Sequence, residues 1–163
     1  MVFGIGEGKM EIKLPKTDYV YGESIRGKAV LTLNQPKKAR GIRVELKAEH
    51  RVWKTRMEKG RTQRYQQIET AYSFVLPLKG EGEFTSSEYD FELIIPKNSL
   101  QPPSAPTIKL GPITIGPPRD TPLQWFVIAS LDLPLSLDIH SMTQIQVSNP
   151  PTPAAQPSSP QNP

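Results

Sequence analysis

Ile42-Arg43-Val44-Glu45-Leu46-Lys47-Ala48-Glu49-His50-Arg51-Val52 alternates without a break. Ile42, Val44, Leu46, Ala48, His50 and Val52 share one parity, and Arg43, Glu45, Lys47, Glu49 and Arg51 take the other. A period of two puts one face in a core and the other in water, the pattern of an antiparallel strand in a two-layer fold. Downstream, Ile68, Tyr72, Phe74 and Leu76 share a parity in a weaker copy of the device. Between the arms, Lys54-Thr55-Arg56-Met57-Glu58-Lys59-Gly60-Arg61-Thr62 is too polar for a core and supplies one Gly for a turn. The stretch 41–76 therefore reads as a long hairpin, amphipathic along its arms and basic at its tip. Matching the buried parities sets Ile42 opposite Leu76, Val44 opposite Phe74, Leu46 opposite Tyr72 and Ala48 opposite Thr70, with Glu49 against Glu69. A slip of two, bringing Arg51 to Glu69, is the alternative; a slip of one would turn the apolar set to solvent.

Outward from this hairpin, further strand patterns fall at 9–14, 24–33, 88–95, 107–115, 123–133 and 143–148, so the hairpin arms at 41–53 and 64–77 bring the count to eight. Tyr21-Gly22-Glu23, Asn34-Gln35-Pro36, Gly80-Glu81-Gly82 and Pro96-Lys97-Asn98 supply turns between them. No window carries a helical period. Short strands punctuated by Gly and Pro predict an all-β fold, an antiparallel β-sandwich of immunoglobulin-like architecture with about seven to eight strands. Its core should collect Ile12, Leu14, Ile25, Leu31, Val44, Leu46, Phe74, Phe91, Leu93, Trp125, Val127 and Leu131.

Two Pro-rich stretches frame the domain. Seven Pro fall in 102–122, where 107–115 reads as a kinked edge strand because Pro112 cannot serve in a central ladder. The tail 149–163 has no charge and no aromatic residue, so it cannot bury enough apolar surface to order itself and is expected to be disordered. One sandwich domain over 1–148 is the expected organisation.

Charge is unevenly placed. The net charge is +4, yet 37–64 holds 11 of the 20 Lys and Arg against Glu45, Glu49 and Glu58. That stretch carries +8 and the remainder −4, so one end should attract acidic partners. The plainer reading is that these cations solvate a strand face and blunt an edge. With no Cys there is no disulfide, thiolate metal site or Cys nucleophile. The start lacks a signal-peptide pattern, and the longest apolar run is 125–129, far short of the ~20 residues that span a bilayer. A cytoplasmic protein is expected.

Catalytic chemistry has little to stand on. His50 lies on the apolar parity of its strand, which predicts a buried, hydrogen-bonded imidazole with no second metal ligand nearby. Asp138 and His140 form at most a two-ligand cluster, and Ser141 beside His140 has no nucleophile elbow. Gly4, Gly6 and Gly8 lack the spacing and preceding strand of a phosphate loop. No catalytic residue, cofactor site or metal site is read, and an enzyme is not expected.

Several motifs together resemble arrestin-like domains. Tyr21-Gly22-Glu23-x-x-x-Gly27 with Ala29-Val30-Leu31 resembles the family's opening strand-turn-strand, and Gly41-Ile42-x-Val44-x-Leu46 its next strand. Tyr89-x-Phe91-x-Leu93-x-Ile95-Pro96 and Trp125-x-Val127-x-Ala129-x-Leu131-Asp132 resemble two later strands. Phe3-Gly4-Ile5-Gly6 fits the opening of the prokaryotic sporulation-control branch, so the resemblance covers 3–148. It implies a β-sandwich and an adaptor or scaffold that binds other proteins, including cytoplasmic parts of membrane proteins. It also implies a Pro-rich insertion at 97–122 and room here for only the first of the family's two domains. The interdomain phosphate-sensing core would then be missing.

The positions matching the family's receptor-probing loop are 54–64, the segment that the charge pattern picks out. Lys54, Arg56, Lys59, Arg61 and Arg64, flanked by Trp53 and Tyr65, are therefore the expected contact residues for a protein or acidic peptide, with a membrane surface within reach. Two other readings compete. Cations beside Trp53 and Tyr65 suit stacking on single-stranded nucleic acid, and exposed edge strands suit self-assembly into a homo-oligomer.

Overall fold

The structure, a computed structural model, describes residues 8–97, 123–150 and the backbone of 108–110 and 113–115. The opening 3–6, most of the 97–122 insertion and the tail from 151 onward lie outside the described residues.

Twelve strands and no helix make up the described residues: β1 (Gly8–Lys13), β2 (Asp18–Val20), β3 (Ser24–Leu33), β4 (Lys37–Ala39), β5 (Gly41–Glu58), β6 (Arg61–Lys79), β7 (Gly82–Phe84), β8 (Ser87–Ile94), β9 (Ile108–Leu110), β10 (Ile113–Ile115), β11 (Gln124–Asp132) and β12 (Ile139–Ser148). A five-stranded sheet ordered β2-β12-β11-β5-β6 faces a three-stranded sheet ordered β1-β3-β8, with β4-β7 as a small accessory pair. The expected sandwich is thus present. All its ladders are antiparallel except β12 with β2, which run parallel through Val147 opposite Tyr19. The pattern at 107–115 is two short strands, β9 and β10, paired with each other rather than one kinked edge strand.

Alternation along each strand decides what is buried. Val44, Leu46 and Ala48 on β5 and Val127, Ala129 and Leu131 on β11 are fully buried and meet Ile25, Leu31 and Leu93 from the opposite sheet. At about 25 cal/mol per Å² of apolar surface removed from water, this shared layer is the dominant stabilising term. Gly27 on β3 is required by packing: a Cβ there would lie 2.7 Å from Leu14 Cδ2 and Phe91 Cζ, and 2.9 Å from the Lys13 carbonyl. Ile12 and Leu14 are only partly buried. Phe74, expected in the core, is 46% exposed. It stands opposite Leu46, but among the described residues β6 is the edge strand of its sheet.

Candidate functional site

Strands β5 and β6 run far beyond their sheet. The β11 ladder along β5 ends where Gln124 meets Glu49, and past that point, among the described residues, β5 has only β6 beside it. Residues 50–58 and 61–69 form a free two-stranded ribbon, about 30 Å long at ~3.3 Å per residue. The tip is tighter than the sequence suggests. Lys54 and Arg56 belong to β5, Arg61 and Arg64 to β6, and the chain reverses over Lys59 (φ 51°) and Gly60 (φ 75°) alone. Two consecutive left-handed residues make the mirror-image turn whose twist matches that of paired strands, and Gly takes the second position without strain.

This turn fixes the ribbon register from the tip: Glu58 opposite Arg61, Arg56 opposite Gln63, Lys54 opposite Tyr65, His50 opposite Glu69. The core fixes another register at the base, with Val44 opposite Leu76, Leu46 opposite Phe74 and Ala48 opposite Tyr72. The two differ by one residue. An irregularity between Ala48 and Glu49 reconciles them, leaving Ala71 as the extra residue on β6. The base therefore takes the two-residue slip, not the pairing of Ile42 with Leu76; Ile42 instead meets Lys79 across a second irregularity. Arg51 faces Ile68 rather than Glu69. The one-residue step is tolerated because beyond Glu49 neither ribbon face is sealed in a core. It also moves Ile68 to the face opposite Tyr72.

Aromatic packing braces the ribbon's root. Trp125, opposite Ala48, is 1% exposed, with Tyr21 edge-on at 5.9 Å and Tyr72 tilted at 5.7 Å between ring centroids. Just above it, His50 is mostly covered but not hydrogen-bonded as expected. Its Nε2 stands 3.8 Å from Glu69 and its Nδ1 has no hydrogen-bond partner among the described residues. The position alternates inward, next to the irregularity between Ala48 and Glu49.

Of the seven expected contact residues, Lys59 sits in the turn and the other six divide between two ribbon faces. Lys54, Arg56, Arg61 and Tyr65 lie on the face continuous with the core side, and Trp53 and Arg64 on the other. The first face is largely self-neutralised. Lys54 Nζ lies 2.6 Å from Glu69 Oε1, Arg56 lies 2.8 Å from Glu58, and Arg56 also sits 5.9 Å from the Tyr65 ring centroid. The hydrogen bond from Lys54 holds Glu69 below the usual carboxylate range, and its counterpart raises Lys54 above the usual lysine range. The second face keeps its chemistry outward. Arg64 stacks 5.7 Å from the Trp53 ring centroid, while Trp53, Met57 and Ile68 are all exposed. Lys59, Arg61 and Arg64 make no ion pair among the described residues. Sequence reading missed Met57 and Ile68 as members of this face, because only the bulge brings Ile68 onto it.

The cations of 37–64 are spread along the molecule. Arg40 and Arg43 lie by Asp132 at the far end of β5, at 3.8 and 3.7 Å, and Lys47 pairs with Glu49 at 2.8 Å on the sheet's outer face. Asp138 accepts the Leu133 backbone N–H at 3.1 Å, and among the described residues it and His140 gain no third His, Cys, Asp or Glu placed to hold a metal ion.

Residues 9–150 match the family described as arrestin (or S-antigen), N-terminal domain. Among solved structures, the sporulation control protein Spo0M from Bacillus subtilis superposes with a TM-score of 0.56 at 18% identity. The match covers 88% of this chain and 50% of the Spo0M chain, so the chain spans half the length of that relative. No curated protein matches the sequence. The fold is arrestin-like, of the kind seen in Spo0M.

Proposed function

Because the chain belongs to the arrestin N-terminal domain family, we propose that it is a non-enzymatic, cytoplasmic adaptor whose ribbon binds an acidic segment of another protein. The observation that carries this reading is the ribbon itself: two strands with no flanking neighbour among the described residues past Glu49, ending in Lys59, Arg61 and Arg64 with Trp53 exposed beside them. A projecting ribbon approaches its target without interference from the sandwich. Cations that are not engaged in internal pairs attract carboxylates and raise the association rate, an effect that salt weakens as the Debye length falls from ~10 Å at 0.1 M. Trp53, already held by Arg64, offers a rigid aromatic contact at low entropic cost.

Lys54 and Arg56 have a different role in this reading. Their charges are engaged by Glu69 and Glu58, so they stiffen the ribbon rather than meet the partner. The outer edge of β6 has no neighbour among the described residues and offers a second contact by strand addition.

Affinity capture from native cell extract, read against salt, tests the assignment. Arg61→Ser/Arg64→Ser/Trp53→Ser should lose the acidic partners that the wild-type protein retains at physiological salt. Lys54→Ser/Arg56→Ser should lose few of them. Equal capture by the triple variant would remove the ribbon from the contact surface. Retention of nucleic acid instead of protein, lost in the same variant, would favour the stacking reading.

A further inference from the structure

Opposite the ribbon, the loop of residues 133–138 joins β11 to β12 beside Gly41, the first residue of β5. Leu133 and Ile139, 5% and 1% exposed, root its two ends in the core. The Asp138 carboxylate accepts the Leu133 N–H at 3.1 Å and closes the loop at its neck. Arg40 reaches over and donates to the Pro134 carbonyl at 3.4 Å, while its own backbone N–H donates to the Asp132 carbonyl at 2.9 Å. On this pinned base Leu135 and Leu137 are 98% and 90% exposed, more than any other large apolar side chain described.

A single exposed Leu needs no explanation, but two on a braced loop whose four tip residues are all exposed form an apolar point. A convex point of this kind suits a deformable apolar medium rather than the flat surface of a folded protein. The surrounding charge agrees. Arg40, Arg43 and Lys79 gather with Asp132 in the shallow depression beside the loop, and Asp138 adds a second carboxylate at the loop's neck. Three cations to two anions leave a net positive charge that complements an anionic headgroup layer, whose attraction is worth a modest increment per cation near the surface.

We propose that the Leu135/Leu137 loop is a membrane-contact point, inserting shallowly into the interfacial layer of an anionic bilayer while Arg40, Arg43 and Lys79 meet the headgroups. The ribbon, at the opposite end of β5, then points away from the bilayer. This inference stands independently of the ribbon's partner.

Co-sedimentation with vesicles at physiological salt tests it, using pure phosphatidylcholine and phosphatidylcholine mixed with phosphatidylglycerol. The wild-type protein should pellet with the mixed vesicles and less with the neutral ones. Leu135→Ser/Leu137→Ser should lower partitioning at least about tenfold, since even one leucine returned to water costs that much. Both side chains already face solvent, so its melting temperature should stay unchanged. Arg61→Ser/Arg64→Ser should still pellet. The proposal is overturned if wild type fails to pellet, if the leucine variant pellets equally, or if only the ribbon variant loses binding. It is also overturned if sedimentation velocity shows the leucine variant converting a wild-type dimer to monomer, which would assign the leucines to a second copy.

Discussion

Strand β5 is two structures in one continuous chain. Over residues 41–49 it lies between β11 and β6, and Val44, Leu46 and Ala48 are 0% exposed. Over residues 50–58 it keeps the same alternation and partner strand, yet no residue of that stretch is fully buried. In the first half alternation is enforced by the core; in the second it survives only through the turn, cross-strand pairs and the ladder. A two-stranded hairpin is marginal in water by itself. This one is held because its root is continuous with a packed sheet. Stability and display are thus separated along one hairpin, and changes in the two halves should read out differently.

The largest contrast is expected from truncation. Leu46→Ala should lower unfolding free energy by about 2–5 kcal/mol, through lost transfer energy and the cavity left behind. Met57→Ala, on the ribbon at 77% exposure, should stay within about 0.5 kcal/mol. Urea midpoints measure both, and equal midpoints would erase the distinction between the halves.

A smaller, local effect should follow Gly60→Ala. Nothing lies within 4 Å of the added Cβ, so the cost arises from the left-handed backbone, about 1–2 kcal/mol. Hydrogen exchange should quicken at ribbon amides 50–58 and 61–69 while core amides of β11 hold. Equal acceleration in both would mean that the ribbon and the sandwich open as one unit.

The smallest effect is electrostatic. Glu69 is lowered chiefly by its hydrogen bond from Lys54, so the folded ribbon favours the carboxylate. That contribution is complete above the ordinary carboxylate pKa and fades as pH falls through the lowered value. Lys54, raised by the same bond, sets the alkaline limit: its contribution is lost as pH rises through the raised value. Ribbon amide protection factors, referred to the intrinsic exchange rate at each pH, should fall down the acidic range more in wild type than in Glu69→Gln. Identical profiles would show that the pair does not steady the ribbon.

Local pattern carried the reading where a strand was long and one face sealed. Strand β3 was legible to its ends at 24–33, and β11 to within a residue, because burial imposes a period that ten residues display. The three-residue strands β2, β4 and β7 were not legible, since so short a segment shows no period. The sequence shows the ribbon as a charged tip with Lys54, Arg56, Lys59, Arg61 and Arg64 along it. Which of them are spent on Glu58 and Glu69 was not visible, because i-to-j pairing across strands depends on register.

By itself the sequence determined an all-β chain with an amphipathic strand at 41–52, a Gly turn beyond it and a concentration of cations between. Those properties are local: alternation, turn preference and charge are written residue by residue. Only the tertiary structure decided that the turn and the core set registers one residue apart and that Ala71 absorbs the difference. It also decided that Ile68 and Trp53 share a face, and that Leu135 and Leu137 stand out from a closed loop at the other end. These outcomes depend on which strands end where, a competition between distant contacts that no window of sequence contains.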